Sequence, residues 1–135
     1  MKNSFSKSER LKSTRGIEEL YKYGKSFRIY PLKITFLECE RSKNSPVSVL
    51  ISAPKHFFKH AHDRNLVKRR LREAYRINKH AIWQTCVAGN HFLYISFQYA
   101  NKKIEDYSII EQSVIQALNK IEKQLINITK PVKPE

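Results

Sequence analysis

The stretch Asp63–Lys79, DRNLVKRRLREAYRINK, limits the folds open to this chain more than any other. Wound as an α-helix at about 100° per residue, it gathers Val67, Leu71, Ala74, Tyr75 and Asn78 into one quadrant. Asn65, Lys68, Arg69, Arg72, Arg76 and Lys79 share another. A helix that is dry on one side only has to lie on a second layer, with its other side left to water or to a partner. An ordinary solvated helix mixes signs, setting Glu and Lys four apart. Here the acids are Asp63 at the N-terminal edge and Glu73 off the basic stripe. Arginine is the majority cation, and its planar fork pairs with phosphate oxygens and stacks on bases. The partner this chemistry implies is a polyanion, with nucleic acid first.

The rest of the composition concentrates the same signal. Of a formal net charge of +14, residues 55–79 carry half, with nine Lys and Arg against two acids. Such a patch steers polyanions. A length of 135 residues suits one domain, expected over 1–135 with a flexible basic arm at 1–12 and a flexible tail at 127–135. Cys39 and Cys86 lie in apolar surroundings without CxxC or Cys/His spacing, so both are expected as reduced thiols in or near the core. The N-terminus has no apolar h-region, and no stretch approaches the roughly 20 apolar residues of a membrane span. The expectation is a cytoplasmic protein with no membrane partner.

Periodicity supplies the other elements. Ser13 is a plausible N-cap for a helix at 14–23, in which Ile17, Leu20 and Tyr21 are helically spaced and which Gly24 would end in left-handed geometry. Leu32, Ile34 and Phe36 alternate with Lys33 and Thr35, predicting a strand that begins near Phe27, with Pro31 marking an edge or a late start. After the turn cluster RSKNSP (41–46), Val47, Val49 and Ile51 predict a strand returning antiparallel as a hairpin. The basic helix is expected to end between Lys79 and Trp83, before a loop at Gly89-Asn90. Leu93, Ile95 and Phe97 mark a third strand, and Tyr107 to Leu125 form an apolar helical seam behind a cap at Asp106. The order α-β-β-α-β-α makes a single-domain α+β fold, a two-layer sandwich of helices on a small mixed sheet.

Catalytic chemistry is hard to find. The twelve acids are scattered with no DxD or ExxE cluster for Mg²⁺, so a self-sufficient nuclease is disfavoured. His56, His60 and His62 lie among cations with no Cys nearby, and phosphate neighbours explain them better than a metal does. Three glycines, none in a phosphate-loop pattern, imply no nucleotide cofactor. The RNA-binding candidates are therefore Lys55, Lys59, Arg64, Asn65, Lys68, Arg69, Arg72 and Arg76. An almost purely cationic stripe suits phosphates, whereas DNA-groove readers present a few Asn, Gln and Arg to base edges. A ribosomal or other structural RNA-binding protein stays open on these residues alone.

The run APKHFFKHAHDRNLVKRRLREAYRINK resembles the signature of the bacterial ribonuclease P protein subunit: Arg64-Asn65, then Lys68-Arg69, Arg72 and Ala74-Tyr75 at fixed spacing. FSKSERLK near the start, the helix ending at Gly24, and the closing strand and long helix are similar to that family in order. The resemblance implies a left-handed βαβ crossover containing the motif helix, against the usual right-handed preference. It also implies a protein that binds a catalytic RNA and the 5′ leader of precursor tRNA, assisting endonucleolytic removal of the leader. Hydrolysis would belong to the RNA with Mg²⁺, leaving no catalytic residue, metal or cofactor on this chain. Tyr21 matches an aromatic of the first helix that faces the leader, and Phe5 is a second leader-binding candidate. Two positions depart from the pattern: Leu66 stands where a second arginine is usual, and Ile17 where another aromatic is.

Overall fold

The computed structural model describes residue 5, residues 7–39 and residues 45–129. After a 3₁₀ turn at Lys7–Glu9 come helix α1 (Thr14–Tyr23), strands β1 (Lys25–Ile29), β2 (Leu32–Cys39) and β3 (Val47–Ser52), then helices α2 (Ala61–Asn78) and α3 (His80–Gly89). Strand β4 (Phe92–Tyr99) and helix α4 (Tyr107–Thr129) complete the chain. The sheet runs β1-β2-β4-β3, antiparallel except for the parallel β3–β4 pair.

Register makes one face of this sheet apolar. Ile34 pairs with Phe97, Phe36 with Ile95, and Val49 with Ile95 from the other side. Because strand side chains alternate between faces, these residues with Leu32, Val47, Leu93 and Tyr99 point the same way, and all are buried. Val67, Leu71, Ala74 and Tyr75 of α2 and the seam Ile110, Val114, Ala117, Leu118, Ile121 and Leu125 of α4 close over them in one core. The α+β two-layer sandwich is thus built from α2 and α4 on the sheet. Helix α1 lies on the opposite face, where the Tyr21 hydroxyl shares a 2.7 Å hydrogen bond with Ser96 Oγ, one residue along from core-facing Ile95.

Several local expectations are corrected. The strand placed from Phe27 onward is two strands, reversing at the cis Tyr30-Pro31 peptide, because proline suits a turn and cannot donate to a ladder. The hairpin across 41–46 does not form: β2 has β1 on one edge and β4 on the other, leaving no edge for β3. Strand β3 instead pairs parallel with β4, so β3, α2, α3 and β4 make the βαβ crossover. The alternation of Val47, Val49 and Ile51 marks the buried side equally well for either pairing.

Gly24 caps α1, but with φ −74° it is not left-handed. Glycine is required there for space, since a Cβ would sit 2.3 Å from Leu20 O and 2.8 Å from Phe36 O. The left-handed cap is Asn90, φ 56°, at the end of α3.

The N-terminal arm is partly docked. Arg10 bridges to Val49 in parallel, and Leu11 N–H donates to Val49 O at 2.9 Å. Residues 1–4 of that arm, residue 6, and residues 130–135 of the expected tail lie outside the described residues, while 127–129 continue α4.

Candidate nucleic-acid interface

The faces of α2 follow its sequence. Val67, Leu71, Ala74 and Tyr75 are buried, whereas Asn65 and Arg69 are exposed and Lys68 and Arg72 half-buried on the other side. Among the described residues no carboxylate pairs with Lys68, Arg69, Arg72 or the neighbouring Arg10. Partial burial, then the nearby charges of Arg10 and Arg69, lower the pKa of Arg72. Cations are therefore packed against cations without an acid between them, which favours an incoming anion.

The approach to the helix is fixed by packing. Phe58 is buried against the Tyr99 ring, 5.6 Å between centroids, and Arg64 Nη1 donates to Phe58 O at 2.9 Å. Arg64 thus ties the preceding segment to the helix start, and that segment presents Lys55 and Lys59, both exposed, beside it.

Two members of the predicted stripe behave differently. Arg76 makes a forked pair with Glu73, at 2.5 Å and 3.1 Å, which raises its pKa and lowers that of Glu73. Lys79 has left the surface: it is 1% exposed, with Nζ 2.6 Å from Glu9 Oε1 and 5.0 Å from the Trp83 ring centroid. The helical wheel placed Lys79 among the cations, but α2 stops at Asn78 and the residue between the two helices turns inward. Arg70, off the stripe, donates to Glu105 O at 2.5 Å and braces the loop before α4.

Across the sheet, α1 and the second face enclose a cleft of about 500 Å³ lined by Ser13, Arg15, Gly16, Glu19, Tyr23, Leu37, Cys39 and Tyr94. Tyr21 projects from the same helix, 47% exposed, and Ile17 is half-buried. Phe5 is elsewhere: its ring packs edge-on against Tyr75 at 5.7 Å, with Arg10 5.3 Å over it, on the α2 side. The sheet separates the two aromatic candidates.

Sequence reasoning missed Arg10, Lys12, Tyr23 and Tyr94. The run ERLK carries the first two, but nothing in its spacing reveals that it docks beside α2. Tyr94 sits on the polar side of an alternating strand, which is a legible signal for a sheet surface open to α1.

Comparison with known proteins agrees with this arrangement. The Ribonuclease P family model matches residues 5–122. The ribonuclease P protein component of Porphyromonas gingivalis strain ATCC 33277 is 33% identical over 116 residues, covering 86% of this chain and 85% of its own. That of Chlorobium phaeobacteroides strain DSM 266 is 29% identical over 130 residues, covering 88% of each. The solved RNase P protein of Staphylococcus aureus superposes with a TM-score of 0.65 at 22% identity, over 85% of this chain and 95% of that one. The Thermotoga maritima RNase P protein gives 0.66 at 22% identity, over 83% and 96%. At that identity the structures speak for the fold, while the family match and the sequence relatives speak for kinship. The chain belongs to the ribonuclease P protein family.

Proposed function

We propose that the chain binds the catalytic RNA of ribonuclease P through α2 and assists removal of the 5′ leader from precursor tRNA in the cytoplasm. The observation that carries this reading is the row Lys68, Arg69 and Arg72 on α2, with which no carboxylate among the described residues pairs, in a chain of this family. Lys68, Arg69 and Arg72 supply charge, Asn65 stands exposed among them as a further RNA contact, Arg64 ties the preceding segment to the helix start, and Lys55 and Lys59 extend the row. A structured RNA presents fixed phosphates, and a rigid helix carrying guanidinium forks matches them. Arg76 contributes after giving up Glu73.

Tyr21, with the cleft beside α1, is the proposed contact for the single-stranded leader, because unpaired bases stack on exposed rings. Phe5, held between Tyr75 and Arg10, supports the α2 side instead. Hydrolysis is assigned to the RNA and its Mg²⁺. A ribosomal or other structural RNA-binding protein would share the cationic helix, but not the family match over residues 5–122.

The test is reconstitution with the catalytic RNA and precursor tRNA at low Mg²⁺. The protein is expected to accelerate release of the leader and of mature tRNA. Binding to the RNA without any effect on processing would overturn the assignment.

A further inference from the structure

The two edges of the sheet end differently. The outer edge of β3 is taken by the N-terminal segment, where Arg10 bridges to Val49 and Leu11 N–H donates to Val49 O at 2.9 Å. The outer edge of β1 pairs with nothing among the described residues, since the strand order stops there and β1 is bonded to β2 alone. At alternate residues of Lys25–Ile29 the N–H and C=O therefore point away from the sheet. They form a row of donors and acceptors at the repeat of another extended chain.

Side chains give that row two flanks. Phe27 pairs with Ile34 and faces the core side together with Ile29, and both are half-buried. Helix α4 runs beside them: Ser113 Oγ donates to Tyr30 O at 2.5 Å, Lys120 Nζ stands 4.4 Å from the Phe27 ring centroid, and Ile109 is 40% exposed. A strand added to β1 lays every second side chain on this apolar shelf. Arg28 faces the other way, exposed, with Lys33 opposite it on β2. No carboxylate among the described residues pairs with Lys25, Arg28 or Lys33. That flank calls for acid.

The candidate occupants separate on chemistry. A second copy meeting edge to edge brings Lys25 and Arg28 against their own counterparts, and like charges across a ladder are destabilising. RNA would meet the cations, but only a peptide unit carries a donor and an acceptor at the repeat of this edge. We propose that the outer edge of β1 docks an extended segment of a protein partner in which apolar and acidic residues alternate. The apolar residues lie on Phe27, Ile29 and Ile109, and the acids face Arg28. Helix α4 packs toward β1 and β2 and α2 toward β3 and β4, so this edge is remote from the cationic face of α2.

Isotope-labelled full-length protein would be titrated with a blocked peptide of alternating valine and glutamate, following backbone amides by NMR. The peptide should shift residues 25–29 and Lys120 and slow hydrogen exchange along β1. A copy N-methylated at every second amide keeps the side chains and loses the donors, and should bind about tenfold more weakly, the scale of two lost hydrogen bonds. Equal binding of the N-methylated peptide, or shifts centred on α2, would reduce the contact to attraction between opposite net charges and overturn the proposal.

In a second arm Arg28→Glu should weaken the glutamate peptide by about fivefold and strengthen a valine–lysine peptide by a similar factor. Unchanged affinities in the folded variant would remove the acidic flank and with it the proposed partner. Should the variant fail to fold, the N-methylated peptide on the unaltered protein decides. Oligouridylate, titrated in the same way, should leave residues 25–29 unmoved. If it shifts them as the peptide does, the edge belongs to RNA and the proposal falls, while the α2 interface is untouched.

Discussion

Lys79 is the cation whose loss should harm the fold most. Its ammonium and the Glu9 carboxylate are both buried and 2.6 Å apart, so Lys79→Ala strands a charge in the interior. Breaking such a pair from one side costs about 3–5 kcal/mol. Urea unfolding should show that loss for Lys79→Ala, with partial recovery when Glu9→Gln is added. A cost under about 1 kcal/mol would mean that water reaches the pair.

Gly24→Ala should cost about 1–3 kcal/mol, because its Cβ meets backbone oxygens at 2.3 and 2.8 Å and neither can swing aside. A neutral result would show that the α1–β1 junction relaxes. Burial pushes the Cys86 thiol up to about 12, whereas Cys39 is only half-buried. Brief alkylation of the native protein near pH 8 should therefore label Cys39 first, by mass spectrometry, since the thiolate is the reactive form.

Among the elements, α2 has two faces with opposite energetic roles. Leu71 is fully buried, so Leu71→Ala should cost about 2–5 kcal/mol. Arg72→Ala removes a cation crowded by Arg10 and Arg69, and thermal melting should change little or rise slightly. The opposite ranking would mean that the helix is rotated from the orientation described. Both faces were legible in sequence because the 3.6-residue period is local and the Arg-Asn and Lys-Arg spacing is specific. Helix α1 at 14–23 and its Ser13 cap were legible for the same reason, Gly16 N–H donating to Ser13 Oγ at 3.1 Å. Strand partnership was not legible: period-two alternation says which way Val49 points and nothing about whether β2 or β4 lies beside it. Nor was the inward turn of Lys79, which depends on where α2 stops and on Glu9, seventy residues away.

For the molecule as a whole, the sheet divides two surfaces, a cationic one on α2 and an aromatic cleft on α1. This division predicts separable defects. Tyr21→Ala should leave assembly with the catalytic RNA intact and reduce the preference for precursor over mature tRNA by about 1–3 kcal/mol, the worth of one stacked base. Equal weakening of both tRNA forms would place the ring outside the leader contact.

The central claim, that the cations of α2 are the RNA contact, is tested most directly by the salt dependence of binding to the catalytic RNA. With about five phosphates neutralised, log affinity should fall against log salt with a slope near −4. Lys68→Ala with Arg69→Ala should make that slope shallower by about 1–2, one released counterion per lost phosphate contact. A slope near −1, or a steep slope that the double variant leaves unchanged, would contradict the account.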